Sequence, residues 1–359
     1  IASNLATSAA SIVVVIADSP WRNGLAALYS TIMDHRSGQK RAVEYLYPPI
    51  EPFDQRVIDM GDGHRVYMEQ CGAPDGVPVL VLHGGPGGGC SPAMRRYFDP
   101  EVYRVVLFDQ RGCGRSRPTA SVQANTTWHL IEDIETIRQA LNIDRFVLFG
   151  GSWGATLALT YAITHPDRAR HLVLRGVFLG SKAELDWFYG GGAGAFYPEL
   201  WARFVTPIPE AERGDLIGAY HRRLFSGNMV EEMRFARLWA QWENALASVT
   251  ASGAHYESPS DYARAFARLE NHYFQNGCFL GQDGWILAHR PRIEALRATI
   301  VQGRFDMICP PVSAWRLAEG WRGCELRMIG MAGHALSEPG ISAELVHVMD
   351  GLRAQMKDS

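Results

Sequence analysis

One serine lies in the sequence context that a covalent nucleophile requires. Residues 146–159 read FVLFGGSWGATLAL, with Ser152 at the centre of a G-x-S-x-G pentapeptide. An apolar run precedes the pentapeptide and a helix-compatible run follows it, which is the strand–turn–helix context of a nucleophile elbow. The flanking glycines are needed because a Cβ at either position would collide with the neighbouring strand or helix. We therefore predict that a strained turn holds Ser152 as a nucleophile.

An acid and a base follow the serine in the order that such an elbow requires. A serine hydroxyl needs a base to take its proton and a third group to orient that base. Asp306 follows the apolar run 299–302, and His334 follows the run 325–329. An isolated Asp or His after a strand is more often a turn residue. The order Ser, Asp, His behind three β-type runs nevertheless predicts a catalytic triad.

A glycine-rich stretch could supply one of the hydrogen-bond donors that stabilise an oxyanion. Residues 83–89 read HGGPGGG and follow an apolar run, as in the HGGG-type oxyanion turn. We expect the backbone N–H groups of Trp153 and Gly85 to be the two donors, with Gly84 as the alternative to Gly85. His83 is expected to support this loop. A phosphate-binding loop is disfavoured because the P-loop lysine is absent.

Strands that alternate with helices are the elements that must position these residues. We expect a strand pair joined by Gly61-Asp62-Gly63 and then buried strands separated by helices, which indicates an α/β fold with a mostly parallel sheet flanked by helices. The strands are expected at 56–60, 64–70, 79–82, 104–108, 146–149, 171–174, 299–302 and 325–329. The alternation stops between 180 and 290, where the pattern is helical and aromatic. We expect a core at 51–179 and 291–359 and a helical cap domain at 180–290, above the carboxyl ends of the strands.

The composition excludes several classes of partner. The 359 residues are 47% hydrophobic and 20% charged, with a net charge of −3, which argues against nucleic-acid and membrane partners. Six cysteines without a C-x-x-C pair are typical of reduced thiols, so we expect a cytoplasmic protein without a metal site. The apolar run 12–17 is too short to span a bilayer. Residues 1–50 are expected to be an N-terminal extension partly outside the fold, with 1–32 as an appendage.

Several motifs taken together resemble one enzyme family. The chain carries HGGPGGG (83–89), FDQRGCGRS (108–116), GGSWGATLAL (150–159), VLRGVF (173–178), ENHYF (270–274), GRFDMICP (303–310) and GHALSEPG (333–340). In combination they resemble the proline iminopeptidases, also called prolyl aminopeptidases, which are serine exopeptidases of the α/β-hydrolase fold. The resemblance runs from about Glu51 to near the C-terminus.

The resemblance implies a function and a set of binding residues. It implies release of N-terminal proline from short peptides without a metal or other cofactor. The positions that match the family's carboxylates for the free imino group are Glu243 and Glu270. Phe178 and Phe188 match the apolar walls around the proline ring, and Arg175 matches an arginine near the pocket. Several family members carry Tyr where this chain has Phe188, so a hydroxyl contact is expected to be missing there.

Two other functions remain open at this point. One is an esterase or amidase of the same fold that takes a different acyl group. The other is a non-catalytic protein that binds a small ligand in the hydrolase pocket, which the complete triad argues against. An epoxide hydrolase or dehalogenase function is disfavoured because those enzymes have Asp at the elbow, where this chain has Ser152. The sequence leaves open the oligomeric state and the tolerance for N-terminal residues other than proline.

Overall fold

The computed structural model describes residues 45–249 and 259–357. The expectations for 1–44, including the appendage at 1–32, lie outside these residues. The described end of the expected N-terminal extension contacts the rest of the chain. The N–H of Tyr47 donates to the carbonyl of Arg96, and the Tyr47 hydroxyl donates to Asp350 Oδ1 at 2.7 Å. Residues 45–50 therefore include a segment that is hydrogen-bonded to the core.

A single sheet organises the described part of the chain. Its eight strands lie in the order β1-β2-β4-β3-β5-β6-β7-β8. The strands are β1 (Asp54–Asp59), β2 (Arg65–Gly72), β3 (Val77–Leu82), β4 (Tyr103–Phe108), β5 (Phe146–Ser152), β6 (Ala169–Val177), β7 (Ala298–Gly303) and β8 (Cys324–Ile329). β2 pairs antiparallel with both β1 and β4, and the remaining pairs are parallel. The expected mostly parallel sheet is confirmed.

The helices of the described residues lie before, within and after a long insertion in this sheet. They are α1 (Thr127–Ala140), α2 (Trp153–Thr164), α3 (Lys182–Tyr189), α4 (Pro198–Val205), α5 (Leu216–Leu224), α6 (Met229–Leu246), α7 (Ser260–Gln275), α8 (Trp285–His289), α9 (Pro311–Ala318) and α10 (Pro339–Lys357). None of the helices in the described ranges is long and apolar enough to cross a membrane. The helices α3 to α8 connect β6 to β7, two strands that pair directly.

Both faces of the sheet are covered by apolar side chains. Along β3, Leu80 and Leu82 pack in the cluster that contains α1, α2 and the insertion helices. Val79 and Val81 alternate with them and pack in a second cluster with α10. Period-two alternation with apolar residues on both faces is what a buried parallel strand requires. The α2 helix is buried on all sides, which explains its uniformly apolar sequence.

The middle of the sheet should carry much of the stability of the fold. We predict that Val147→Ala in β5, where Val147 is 0% exposed, lowers the free energy of unfolding by about 2 kcal/mol, because two methyl groups leave a packed site. The matched control Val230→Ala, at an 81% exposed position on α6, should change it by less than about 0.5 kcal/mol. Urea unfolding followed by fluorescence measures both. Equal effects of the two substitutions would contradict this description of the core.

Candidate active site

The turn between β5 and α2 has the strained geometry that the pentapeptide predicts. Ser152 has φ 58° and ψ −127°, outside the regions that a residue with a side chain ordinarily adopts. A Cβ on Gly150 would overlap the carbonyl oxygen of Gly154, and a Cβ on Gly154 would overlap that of Leu82. The glycines are thus required by close backbone contacts on both sides of the turn. The expected strain and glycine requirement are confirmed.

Asp306 and His334 form a buried pair. His334 Nδ1 lies 2.8 Å from Asp306 Oδ2. Asp306 Oδ1 accepts the N–H groups of Ile308 and Cys309 at 3.0 and 2.8 Å, and Oδ2 also accepts from Gln302 Nε2 at 3.2 Å. These donors orient the carboxyl group so that Oδ2 faces His334 Nδ1 and can accept its proton in a hydrogen bond. His334 Nε2 is therefore the ring nitrogen available as a base.

Ser152 and the Asp306–His334 pair both lie beside the end of β6. Ser152 pairs with Val177 in the register of β5 and β6. A Cβ on Gly176, the preceding residue, would lie 2.9 Å from His334 Cε1 and 3.2 Å from Asp306 Oδ2. Gly176 therefore leaves the space that the Asp306–His334 pair occupies. The three residues of the predicted triad are brought to one end of neighbouring strands, while their catalytic roles remain predictions.

The glycine-rich loop lies beside the elbow. A Cβ on Gly84 would be 3.3 Å from the Cβ of Ser152, so the loop and the serine are in close contact. Gly85 lines the same pocket as Ser152. The N–H of Trp153 lies in the first turn of α2, where no intrahelical acceptor exists. This arrangement is compatible with Gly85 and Trp153 as oxyanion donors, which stays a prediction.

The pocket above Ser152 is lined by three acidic side chains from the insertion, of which Glu243 and Glu270 are close to each other. Its lining residues are Gly85, Ser152, Phe178, Glu184, Leu185, Phe188, Tyr189, Glu243, Glu270, Phe274, Ile308 and Cys309. Glu243 lies on α6 and Glu270 on α7, and the two carboxyl groups are close enough for each to shift the pKa of the other. The pair is suited to hold a cation.

Two aromatic residues donate hydrogen bonds to this acidic pair. The Tyr189 hydroxyl donates to Glu243 Oε1 at 2.7 Å, and Trp239 Nε1 donates to Glu270 Oε2 at 2.7 Å. The two aromatic rings stack with centroids 4.4 Å apart. Burial raises the pKa of Glu243 to about 7 and that of Glu270 well above its ordinary value, and the charge of Glu243 raises the pKa of Glu270 further. The site therefore favours a ligand that brings positive charge.

The structure places the remaining predicted binding residues in two different environments. Phe178 and Phe188 line the pocket, as expected, and Phe178 packs edge-on against Phe274. Arg175 does not line it. Its guanidinium lies below Gly151, and Nη1 donates to the backbone carbonyl of His334 at 2.7 Å. Arg175 thus contacts the base instead of the substrate pocket.

Sequence reasoning missed the roles of Tyr189 and Trp239. The hydroxyl contact that was expected to be absent at Phe188 is supplied next to it, by Tyr189 on Glu243. Trp239 is buried in the insertion and its sequence position gave no sign of a polar contact. Metal binding has no visible basis in residues 45–249 and 259–357, where no group of three His, Cys, Asp or Glu side chains could hold an ion.

Comparisons with known proteins show the family and the fold of this chain. Residues 77–340 match the profile of the alpha/beta hydrolase fold family. The chain is 49% identical to a proline iminopeptidase of Arabidopsis thaliana over 87% of this chain and 83% of the relative, and 48% identical to one of Xylella fastidiosa over 82% and 95%. A solved proline iminopeptidase of Mycobacterium smegmatis superposes with a TM-score of 0.55 at 18% identity, covering 84% of this chain and all of that chain. This structural likeness bears on the fold alone.

The contact between Arg175 and the base predicts a pH effect. Burial lowers the pKa of His334, Asp306 raises it and Arg175 lowers it. Neutral His334 should therefore persist below pH 6.5, and a fluorophosphonate should label Ser152 at half its maximal rate below that pH. In Arg175→Met the lost cation should move the midpoint to higher pH, while Arg175→Lys should leave it nearly unchanged. A midpoint that is the same in Arg175→Met and in the wild type would contradict this effect.

Proposed function

We propose that this chain, which belongs to the proline iminopeptidase family of the α/β-hydrolase fold, releases N-terminal proline from short peptides. The observation that carries the proposal is the acidic pair Glu243 and Glu270, which faces the same pocket as Ser152. An N-terminal proline carries a secondary ammonium group with two N–H bonds next to an apolar ring. The pair can bind the ammonium group, while Phe178 and Phe188 can contact the ring.

The reaction proposed for this site is acyl transfer through a serine ester. Ser152 Oγ attacks the prolyl carbonyl carbon while His334 Nε2 takes its proton, and Asp306 holds the imidazole in the required tautomer. The N–H groups of Trp153 and Gly85 receive the oxyanion. His334 then protonates the leaving amine as the C–N bond breaks. A water molecule, deprotonated by the same imidazole, hydrolyses the prolyl ester and regenerates the serine.

The acidic pair also accounts for the restriction to chain ends. A substrate without a charged N-terminus would leave two buried carboxyl groups without a cation. An internal proline has an amide nitrogen that carries neither a charge nor an N–H bond. The pocket is therefore expected to reject internal prolines electrostatically as well as sterically.

We further infer that residues 180–290 act as a cap domain on a core of 51–179 and 291–359. The insertion supplies Phe188, Tyr189, Glu243 and Glu270 to the pocket, whereas the nucleophile comes from the sheet. This division supports a core that carries the catalytic serine and a cap that recognises the substrate. Limited proteolysis that cuts first near 180 and 290 would support these boundaries, and a first cut within 51–179 would count against them.

We infer a cytoplasmic location from the cysteines. All six are free thiols, and burial raises the pKa of several of them, Cys309 among them, so that they remain protonated. Free thiols of this kind fit a reducing compartment. Recovery of the native protein from a secreted fraction would contradict the inference.

Removal of the nucleophile should abolish turnover while the pocket still binds its ligand. We predict that Ser152→Ala lowers kcat for prolyl-naphthylamide by about 10⁴-fold or more, while the affinity for free proline, measured by calorimetry, stays within a few-fold of wild type. The control Ser226→Ala, at an exposed serine, should have wild-type activity. If Ser152→Ala retains wild-type turnover, another residue is the nucleophile.

The charge of the substrate's N-terminus should decide whether it is cleaved. We predict that prolyl-naphthylamide is hydrolysed and N-acetyl-prolyl-naphthylamide is not, because acetylation removes the cation that pairs with Glu243 and Glu270. Glu270→Gln should lower kcat/KM for the free substrate about 10²-fold, since a hydrogen-bonded charge partner is lost. The exposed control Glu199→Gln should have no effect. Comparable hydrolysis of both substrates would favour the esterase or amidase alternative.

A further inference from the structure

One buried glutamine is bonded to both segments that carry the oxyanion donors. Gln110 follows β4 and is 2% exposed. Its Nε2 donates to the backbone carbonyl of His83 at 3.0 Å, at the start of the glycine-rich loop. Its Oε1 accepts from Trp153 Nε1 at 3.0 Å, in the first turn of α2. A single amide group therefore spans the gap between the loop and the elbow.

The backbone of the same residue fixes the ring of His83. The N–H of Gln110 points at His83 Nε2 at 3.0 Å, so this nitrogen must accept and the ring proton must lie on Nδ1. His83 Nδ1 lies 2.9 Å from the carbonyl oxygen of Gly84, to which it then donates, and the N–H of Gly89 approaches the same nitrogen at the longer distance of 3.2 Å. Burial lowers the pKa of His83, which keeps the ring neutral and able to accept from Gln110.

The carbonyl of Gly84 determines where the N–H of Gly85 points. It also accepts the N–H of Gly88 at 3.0 Å, so two donors hold it in place. The Gly84 carbonyl and the Gly85 N–H belong to one planar trans peptide and point in opposite directions. Fixing the carbonyl toward His83 and Gly88 thus fixes the direction of the Gly85 N–H.

We propose that Gln110 is a positioning residue that sets the spacing and direction of the two oxyanion donors. Its side chain is hydrogen-bonded to both the glycine-rich loop and Trp153. Its backbone N–H orients the His83 ring, which in turn holds the Gly84 carbonyl and so sets the direction of the Gly85 N–H. The proposal rests on the proposed function, because it takes Ser152 as the nucleophile and Gly85 and Trp153 as the donors. Donors that are fixed before the reaction stabilise the oxyanion without reorganisation, so a loosened Gln110 should cost transition-state stabilisation and leave substrate binding intact.

Two substitutions separate the hydrogen bonds from the packing. Gln110→Met keeps the shape of the side chain but bonds to neither the His83 carbonyl nor the Trp153 indole. Gln110→Glu can still accept from Trp153 but places a carboxylate against the His83 carbonyl. Gln139→Met, at an exposed position on α1, is the matched control. The thermal midpoint of each variant shows whether it folds.

The experiment measures the rate constant for Ser152 labelling by an alkyl fluorophosphonate, together with kcat and KM for prolyl-naphthylamide. Labelling needs the oxyanion donors for the phosphoryl oxygen but needs no prolyl group. We expect Gln110→Met and Gln110→Glu to lower the labelling rate constant and kcat about 10- to 100-fold, with KM within about threefold of wild type and Gln139→Met unchanged.

Other results would overturn the proposal. Folded Gln110 variants that label and turn over within about twofold of wild type would do so, as would a loss confined to KM. A wild-type protein that is labelled at Ser152 but does not cleave prolyl-naphthylamide would contradict the proposed function alone, and the labelling rates of the variants would still decide the role of Gln110. A wild-type protein that is not labelled would overturn both.

Discussion

The burial of two carboxyl groups against each other is the interaction on which the site depends. Removing an unpaired carboxylate from water costs on the order of several kcal/mol, so Glu243 and Glu270 need compensation in the folded chain. Tyr189 and Trp239 each supply one hydrogen bond, and burial raises the pKa of both carboxyl groups. Two buried carboxyl groups held in this way favour a cation as their ligand. Recognition of the substrate is therefore an electrostatic property of the insertion, separate from the chemistry at the sheet.

His334, the proposed base, is nevertheless hydrogen-bonded to the insertion through its backbone. The carbonyl of Ala247, just after α6, accepts the N–H groups of His334 and Ala335 at 3.0 and 2.6 Å. A second hydrogen bond joins the same two segments, because Glu338 Oε1, shortly after His334, accepts the N–H of Val249, shortly after Ala247, at 2.7 Å. Glu243 lies one turn before Ala247 on the same helix. The residue proposed to bind the ammonium group and the residue proposed as the base are therefore connected through one short stretch of backbone.

The sequence predicted most of what depends on local geometry. The turn at Ser152 follows from five consecutive residues, and Asp306 and His334 follow from their positions behind two β-type runs, now seen as β7 and β8. The contacts of Tyr189 and Trp239 could not be predicted, because they depend on how three insertion helices pack. Arg175 illustrates the same limit. A resemblance places this arginine near the pocket, but only the tertiary structure shows that it contacts the backbone of His334 and not the substrate space.

The most direct test of the account is a crystal structure of the Ser152→Ala protein with a prolyl dipeptide bound. The account predicts that the imino nitrogen lies within hydrogen-bonding distance of both Glu243 and Glu270. It also predicts that the prolyl carbonyl carbon lies over residue 152, with its oxygen toward the N–H groups of Gly85 and Trp153. A dipeptide bound with its imino nitrogen toward solvent, away from both carboxyl groups, would contradict the central claim.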